Sequence, residues 1–408
     1  MTLKLECDIA IIGAGPAGCS AAIKLAASGL NIVIVDKAYF PRDKICGDAL
    51  SVDVVNQLAM LSKELSSEFK NMAEKTASHG VTIYSPNGKG VSIPFLNNGE
   101  AKCGYVVMRQ NFDYLLFKEV KKYPNVQIIE NKAISEINLE GDGVIIQGDD
   151  LTMKSKLVIG ADGAYSIVNK HLGKIRVDKK HYSAGLRVYY KNVRQFHPNN
   201  YIELYFFKDI LPGYLWVFPL PNNRANVGIG MLSASISAKR IHLRAKLEEL
   251  LTTHPALKER FSNARALETI KGFGLPLGSK KRPISGERFL LTGDAAGLID
   301  PFSGEGIANA IRSGRVAAEH ATKCFTTQDF SASFNASYDQ EIYSRMWKEF
   351  KISRSLQNLC KHSWLFNFIV GKAAQSAYLK KLLTDALAEV DVKKVLTRPG
   401  FYIRLLFR

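Results

Sequence analysis

The chain has 408 residues, 46% hydrophobic and 23% charged, which is ordinary globular material with enough apolar residues for a sizeable core and for two or three domains. Its formal charge of +17 is unusual and favours an anionic partner: a membrane surface, nucleic acid, or a phosphorylated substrate or cofactor. Uninterrupted apolar runs stay below about 18 residues, which argues against a transmembrane helix. The six cysteines form no C-x-x-C pair, which argues for reduced thiols in a cytoplasmic protein rather than a disulfide framework.

In chain order, "MTLKLECDIAIIGAG" runs into a strand and a glycine turn without a cleavable signal pattern. "CDIAIIGAGPAGCSAAIKLAASGLNIVIVDK" reads as strand, glycine turn, Ala-rich helix and second strand, the opening of a doubly wound sheet. Residues 53–77 look helical, and "GVTIYSP" with "GVSIPF" resembles a hairpin. Residues 111–123 have helical apolar spacing; "VQIIEN" and "LVIGADG" read as strands. Residues 182–232 are β-rich, 237–264 return to helix, and "RFLLTGDAAG" is a strand entering a loop. "GEGIANAIRSGRVAAEHATK" is a helix, and the pattern beyond 330 is mainly helical. This predicts an α/β fold. A Rossmann-like nucleotide-binding domain spans 1–180, with 53–100 contributing to the substrate side, and resumes at 271–325. Between them lies an antiparallel β-sheet substrate domain at 181–270, and 326–408 form a helical C-terminal region.

Four pieces point to one cofactor site. In Gly13-x-Gly15-x-x-Gly18, the glycines permit a tight turn, close approach to a pyrophosphate, and close helix–strand packing. The helix N-terminus behind them, at Pro16 and Ala17, suits an anion. Asp36 ends the second strand at about the 20-residue interval expected of a ribose acceptor. "RFLLTGDAAGLIDPFSGEGIANAI" places Asp294 where it can bind the hydroxyls of a ribityl chain. The N–H groups around Gly304, Gly306 and Ile307 are then aimed at a flavin's pyrimidine edge, where reduced flavin gathers negative charge. "LVIGADGAYSIVNK" delivers Asp162-Gly163, and Arg109 opens a helix where it can meet a phosphate or the ribityl region.

Together these pieces resemble the FAD-containing oxidoreductases of the para-hydroxybenzoate hydroxylase superfold. Asn169 stands where most of that superfamily carries an arginine, so no nicotinamide contact is assigned there. Two further stretches narrow the resemblance to the geranylgeranyl reductase family. Pro41-Arg42-x-Lys44-x-Cys46-Gly47 is similar to the loop under its flavin. Tyr214-x-Trp216-x-Phe218-Pro219, eight residues, then Gly228-x-Gly230 matches its aromatic motif in full. The resemblance covers about the first 320 residues. It implies FAD as cofactor, with Lys37, Cys46, Gly47 and Ala133 joining the residues above. It also implies saturation of carbon–carbon double bonds in a prenyl lipid, quinone or prenyl diphosphate.

Alternate strand positions share a face, so Tyr214, Trp216 and Phe218 can line a greasy tunnel with Pro219, while Gly228 and Gly230 clear space beside it. Cys46 and Tyr214 are the candidate proton donors or positioning groups, and Trp216 joins them at the reacting end. The histidines have no metal-ligand spacing, so no metal is expected. The reductant is NAD(P)H, ferredoxin or a separate reductase, since no second dinucleotide fingerprint is present. Lys393, Lys394, Arg398, Arg404 and Arg408 punctuate an apolar tail suited to peripheral contact with the inner face of a membrane or to docking on the protein itself. No basic and aromatic element suits nucleic acid. The alternative activity is an FAD monooxygenase or halogenase acting on an aromatic or polyketide compound. Halogenases of this superfold carry Trp-x-Trp-x-Ile-Pro at a comparable place, from which Tyr214 and Phe218 depart.

Overall fold

The computed structural model describes residues 3–97 and 100–376. Strand β1 (Leu3–Ile12) lies between β2 (Ile32–Val35) and the strand Leu151–Gly160, all parallel, with Val126–Ile129 beyond β2. Apolar residues fill consecutive positions of β2 and of residues 9–12 in β1, where helices cover both faces, whereas residues 3–8 still alternate apolar and charged. The Leu151–Gly160 strand divides its second edge between two neighbours. Its first half pairs antiparallel with Gly143–Gly148, and its last three residues pair parallel with Phe289–Leu291. The chain thus returns to this sheet after an excursion of more than a hundred residues. The parallel strands end at Gly13, Asp36, Ala161-Asp162 and Thr292-Gly293-Asp294, side by side at the carboxyl edge where ligands of such sheets bind.

Helix α1 (Pro16–Leu25) leaves this edge with a proline in its first turn. It must pass very near the strand behind it: a β-carbon on Gly18 would fall 1.8 Å from the Gly13 carbonyl oxygen. The helix Ile307–Thr327 crosses α1 just as closely, with Gly314 over the Ala17 carbonyl. Small residues let these helices meet backbone to backbone, which places both N-termini beside the sheet edge.

The second sheet runs in the order Lys271–Pro276, Tyr182–Lys191, Arg224–Leu232, Tyr214–Leu220, Ile202–Tyr205, Gly80–Tyr84, Gly90–Pro94. Pairing is antiparallel except where Ile202–Tyr205 lies parallel to Gly80–Tyr84. The hairpin within residues 53–100 therefore completes the substrate sheet from an earlier part of the chain. One face buries Val188, Leu215, Val217, Val227 and Ile229 against the helices Leu243–Thr253 and Pro255–Phe261. The opposite face turns Tyr189, Trp216 and Phe218 towards the nucleotide-binding sheet, as a period of two requires.

The helix Ala332–Leu359 packs Tyr338, Ile342, Met346 and Phe350 into the nucleotide-domain core. Ser363–Gln375 sets Phe366, Val370 and Ala373 on the Gly80–Pro94 hairpin. The basic tail residues Lys393, Lys394, Arg398, Arg404 and Arg408 lie outside the described residues. Among the described residues, no helix is long and apolar enough to cross a membrane.

Candidate active site

A cavity of about 900 Å³ joins the carboxyl edge of the first sheet to the aromatic face of the second. At its nucleotide end, Gly13 has φ +101°, and a β-carbon there would strike the Ala161 carbonyl oxygen at 2.5 Å, so only glycine fits. Asp36 accepts hydrogen bonds from the N–H groups of Ala14 and Ala38, each at 2.8 Å. This locks the turn and leaves remaining lone pairs for a ribose. The Arg42 guanidinium lies beside Gly15, 3.6 Å from where a β-carbon would stand, and supplies a cation at the diphosphate turn.

Two half-buried carboxylates on the cavity are incompletely used. Asp162 Oδ2 accepts from the Ile167 and Val168 N–H groups at 2.6 and 3.2 Å, but its Oδ1 is buried without a partner. Asp294 has no hydrogen bond to its carboxylate among the described residues, and burial pushes its pKa up against the pull of Lys44 and Arg109. A buried acceptor such as Asp162 Oδ1 is unfavourable without a donor, and Asp294 offers unused acceptors to the same cavity, so the pair suits a ligand carrying several hydroxyls. The helix Ile307–Thr327 points its N-terminus at the same space. The loop before it is held by Asp300, whose Oδ1 accepts from the N–H groups of Phe302 and Ser303 and the Ser303 hydroxyl. Its first N–H groups have no intrahelical partner and are open to the carbonyl edge of a flavin. This set of donors, acceptors and glycines fits FAD.

The loop 41–48 forms the floor between the two ends. Arg42 and Arg109 share Asp113: Arg109 Nε and Nη2 donate to it at 2.7 and 2.8 Å, and Arg42 Nη1 donates at 2.9 Å. Burial raises the Asp113 pKa, but Arg109 and Arg42 outweigh it and hold the carboxyl below its usual range. Arg109 is likewise opposed by burial, then kept charged by Asp113 and by Cys46. Burial lowers the Lys44 amine to about 8 despite Asp294, and its Nζ sits 3.1 Å from the Phe273 ring centroid. Asp48, fully buried, is raised to about 6 by burial, against hydrogen bonds from Tyr189 and Asn226.

The aromatic wall rises from the Tyr214–Leu220 strand. Tyr214, Trp216 and Phe218 face the cavity with adjacent ring centroids 6.3 and 6.2 Å apart. The loop presses so near that a β-carbon on Gly47 would lie 2.9 Å from the Phe218 ring. The Tyr214 hydroxyl donates to the Ser303 carbonyl, tying the wall to the loop that precedes the second helix N-terminus.

Most residues singled out in the sequence converge here. Gly13, Gly15, Pro16, Ala17, Asp36, Lys37, Cys46, Gly47, Arg109, Ala133, Asp162, Gly163, Asp294, Gly304, Gly306, Ile307, Tyr214, Trp216, Phe218 and Gly230 all line the cavity. Three stand off it. Gly18 serves helix–strand packing, as its place in the fingerprint implies. Pro219 points to the opposite strand face. Gly228 opens no room for a ligand: a β-carbon there would meet Trp216 Cζ2 at 2.1 Å, so this glycine accommodates the indole. Arg109 is committed to Asp113 rather than standing as an open phosphate ligand. Lys44, Asp48, Phe273 and Asn226 carried no role in the sequence reading. Asn226 was accessible to it: residues 226, 228 and 230 share one strand face, and in register they oppose Phe218, Trp216 and Tyr214.

Comparison with known proteins agrees with this geometry. The model of the FAD binding domain family matches residues 6–320. A digeranylgeranylglycerophospholipid reductase of Methanococcus vannielii is 28% identical over 398 residues, covering 96% of this chain and 94% of the relative. A menaquinone reductase of Mycolicibacterium smegmatis is 30% identical over 362 residues, covering 87% and 84%. A geranylgeranyl bacteriochlorophyll reductase-like protein of Thermoplasma acidophilum superposes with a TM-score of 0.78 at 24% identity, covering 97% of this chain and 99% of that one. A flavin-dependent brominase shares the fold alone, with a TM-score of 0.74 at 20% identity, covering 94% and 93%. With the nucleotide fingerprint, the flavin-edge helix and the aromatic strand on one cavity, the chain belongs to the geranylgeranyl reductase family of FAD-dependent oxidoreductases.

Proposed function

We propose that this protein saturates carbon–carbon double bonds of a prenyl chain carried by a lipid, a quinone or a diphosphate. The observation that carries this reading is the continuity of one cavity from the glycine turn to the aromatic wall, with Cys46 on the floor between them. A long apolar chain needs such a dry, ring-lined channel, and a reducible double bond must lie next to the flavin. The names of the relatives, prenyl-lipid and menaquinone reductases, support the same class.

When bound and reduced, FAD supplies a hydride to one alkene carbon. The residues of the chain do the rest. Gly13, Gly15 and Arg42 receive the diphosphate, Asp36 a ribose, and Asp294 the ribityl hydroxyls. The N–H groups at Gly306 and Ile307 would stabilise the negative charge that the reduced cofactor already carries at its pyrimidine edge. Cys46 gives its thiol proton to the second alkene carbon; the C–H bond forms as the S–H bond breaks, and the thiolate is reprotonated from solvent before the next turnover. Arg109, kept cationic within its buried group, faces that thiolate. Tyr214 is the weaker donor, because its proton is committed to the Ser303 carbonyl and burial raises its pKa. It serves as wall and as brace for the flavin-edge loop. NAD(P)H or a ferredoxin is the proposed source of electrons, and the basic surface is proposed to bring the enzyme to membrane-borne substrate.

The test is anaerobic incubation of the dithionite-reduced holoenzyme with a digeranylgeranyl glycerophospholipid or menaquinone, read by mass spectrometry. A gain of two hydrogens per double bond is expected. Cys46→Ser should retain bound FAD and its spectrum while slowing turnover about 100-fold or more, the scale of a lost general acid. Unaltered turnover in that variant removes the donor role from Cys46. Oxygen consumption with an unchanged prenyl mass points to the monooxygenase or halogenase reading.

A further inference from the structure

Three side chains on the cavity face of the second sheet grip the loop on both sides of Cys46. Arg187 and Tyr189 stand on the Tyr182–Lys191 strand and Asn226 on the neighbouring Arg224–Leu232 strand, with Tyr189 and Asn226 directly paired. Arg187, 1% exposed, bonds Asp43 at 2.6 Å and also pairs with Glu268. Tyr189 donates its hydroxyl proton to Asp48 Oδ2 at 2.6 Å. Asp43 and Asp48 bracket Cys46, so the thiol's loop is anchored to the substrate sheet before and after it.

Asn226 sits at the centre of this clamp. It is fully buried and touches three partners: its Oδ1 accepts from the Trp216 indole N–H at 2.9 Å, and its Nδ2 donates at 2.8 Å to both the Cys46 carbonyl and Asp48 Oδ2. The amide has only one sensible orientation. An indole N–H can only donate, while a carbonyl and a carboxylate can only accept, so oxygen must face Trp216 and nitrogen must face the loop. Asn226 does not itself line the cavity.

We propose that Asn226 is a positioning residue that couples the aromatic wall to the proton donor. One amide fixes the indole on the substrate side and the backbone of Cys46 on the flavin side, so that the thiol and the alkene are set relative to each other. Gly228 belongs to the same device, since the indole can lie across the sheet and reach Asn226 only where no β-carbon intervenes. The inference rests on the reading of Cys46 as the proton donor.

Two measurements test it and separate it from that reading. The first is a double-mutant cycle in anaerobic turnover with FAD occupancy checked by absorbance. Asn226→Ala in the wild-type background should lower kcat by about 10²-fold, the scale of a misplaced catalytic group, with KM little changed. In the Cys46→Ser background the same change should matter less than about twofold, because its target is already gone. Equal losses in both backgrounds overturn the proposal. The second needs no turnover: alkylation of Cys46 by iodoacetamide, followed by peptide mass, with half-buried Cys103 in the same sample as reference. The Cys46-to-Cys103 rate ratio should change several-fold in Asn226→Ala, and a constant ratio overturns the proposal even if Cys46 proves not to be the donor. Should Asn226→Ala fail to retain FAD, Trp216→Phe replaces it. That variant keeps an aromatic ring and deletes the indole N–H, and it should move the ratio in the same direction.

Discussion

Lys44 shows how one side chain can report on the cofactor. The folded chain holds its proton less tightly than the unfolded chain, about 8 against 10.5, because burial opposes the charge. The protein without cofactor therefore gains stability as pH rises from about 8 towards 10.5. FAD affinity runs the other way. The anionic cofactor favours the protonated amine, so its dissociation constant should weaken about tenfold between pH 7 and 9, the proton uptake of one such group. Lys44→Met should bind FAD more weakly at pH 7 and flatten that pH slope, as fluorescence titration of free flavin would reveal. A slope unchanged in the variant assigns the titration to another group. Lys44 was visible in the sequence as part of Pro41-Arg42-x-Lys44-x-Cys46-Gly47, but its pKa was not. Phe273, whose ring the amine covers, lies more than two hundred residues away and carried no motif.

At the scale of elements, the Arg224–Leu232 strand gives the two glycines of one motif different tasks. A β-carbon on Gly228 would overlap the Trp216 indole and the Leu186 carbonyl at 2.1 and 2.2 Å, whereas on Gly230 the nearest indole atom is 3.6 Å away. Gly228→Ala should lose roughly 1–3 kcal/mol of stability, as overpacking of a rigid neighbour does. Gly230→Ala should leave stability within about 0.5 kcal/mol and instead raise KM by narrowing the cavity. Thermal unfolding together with turnover distinguishes the two, and equal destabilisation would contradict the assignment. The motif's spacing was legible because strand alternation puts residues two apart on one face. Which glycine makes room for a ring, and which for a ligand, depends on the rotamer of Trp216, and that is set by its bond to Asn226 across the strand pair.

At the scale of the whole molecule, the cavity is a shared wall between two sheets, and the 41–48 loop is fastened to both. Arg42 binds it to the nucleotide domain through Asp113, and Arg187, Tyr189 and Asn226 bind it to the substrate sheet. FAD bound at its turn should therefore stabilise more than the domain that holds its diphosphate. At a free concentration about 1,000-fold above its dissociation constant, binding contributes about 4 kcal/mol. Removing FAD should lower the melting temperature and also weaken hydrogen-exchange protection in the strands Tyr182–Lys191 and Arg224–Leu232. Loss of protection confined to the first sheet would show that the loop does not transmit the cofactor's stabilisation.

The glycine turn at residues 13–18, the strand that ends at Asp36, the helix that opens at Ile307 and the aromatic strand were all legible in the sequence. Each of these is a local pattern in which glycine freedom, helix-end polarity or strand alternation imposes residue types at short spacing. The fold adds that the hairpin Gly80–Pro94, expected on the substrate side, joins its sheet by pairing parallel to Ile202–Tyr205, that Arg109 is occupied by Asp113, and that Asn226 joins Trp216 to Cys46. The physical reason is that these are pairings between residues distant along the chain. Burial then sets their strength, leaving Asp162 and Asp294 with open acceptors and giving Lys44 and Asp48 their shifted pKa values. No periodicity encodes such meetings, because they arise where two sheets and one loop close on the same cavity.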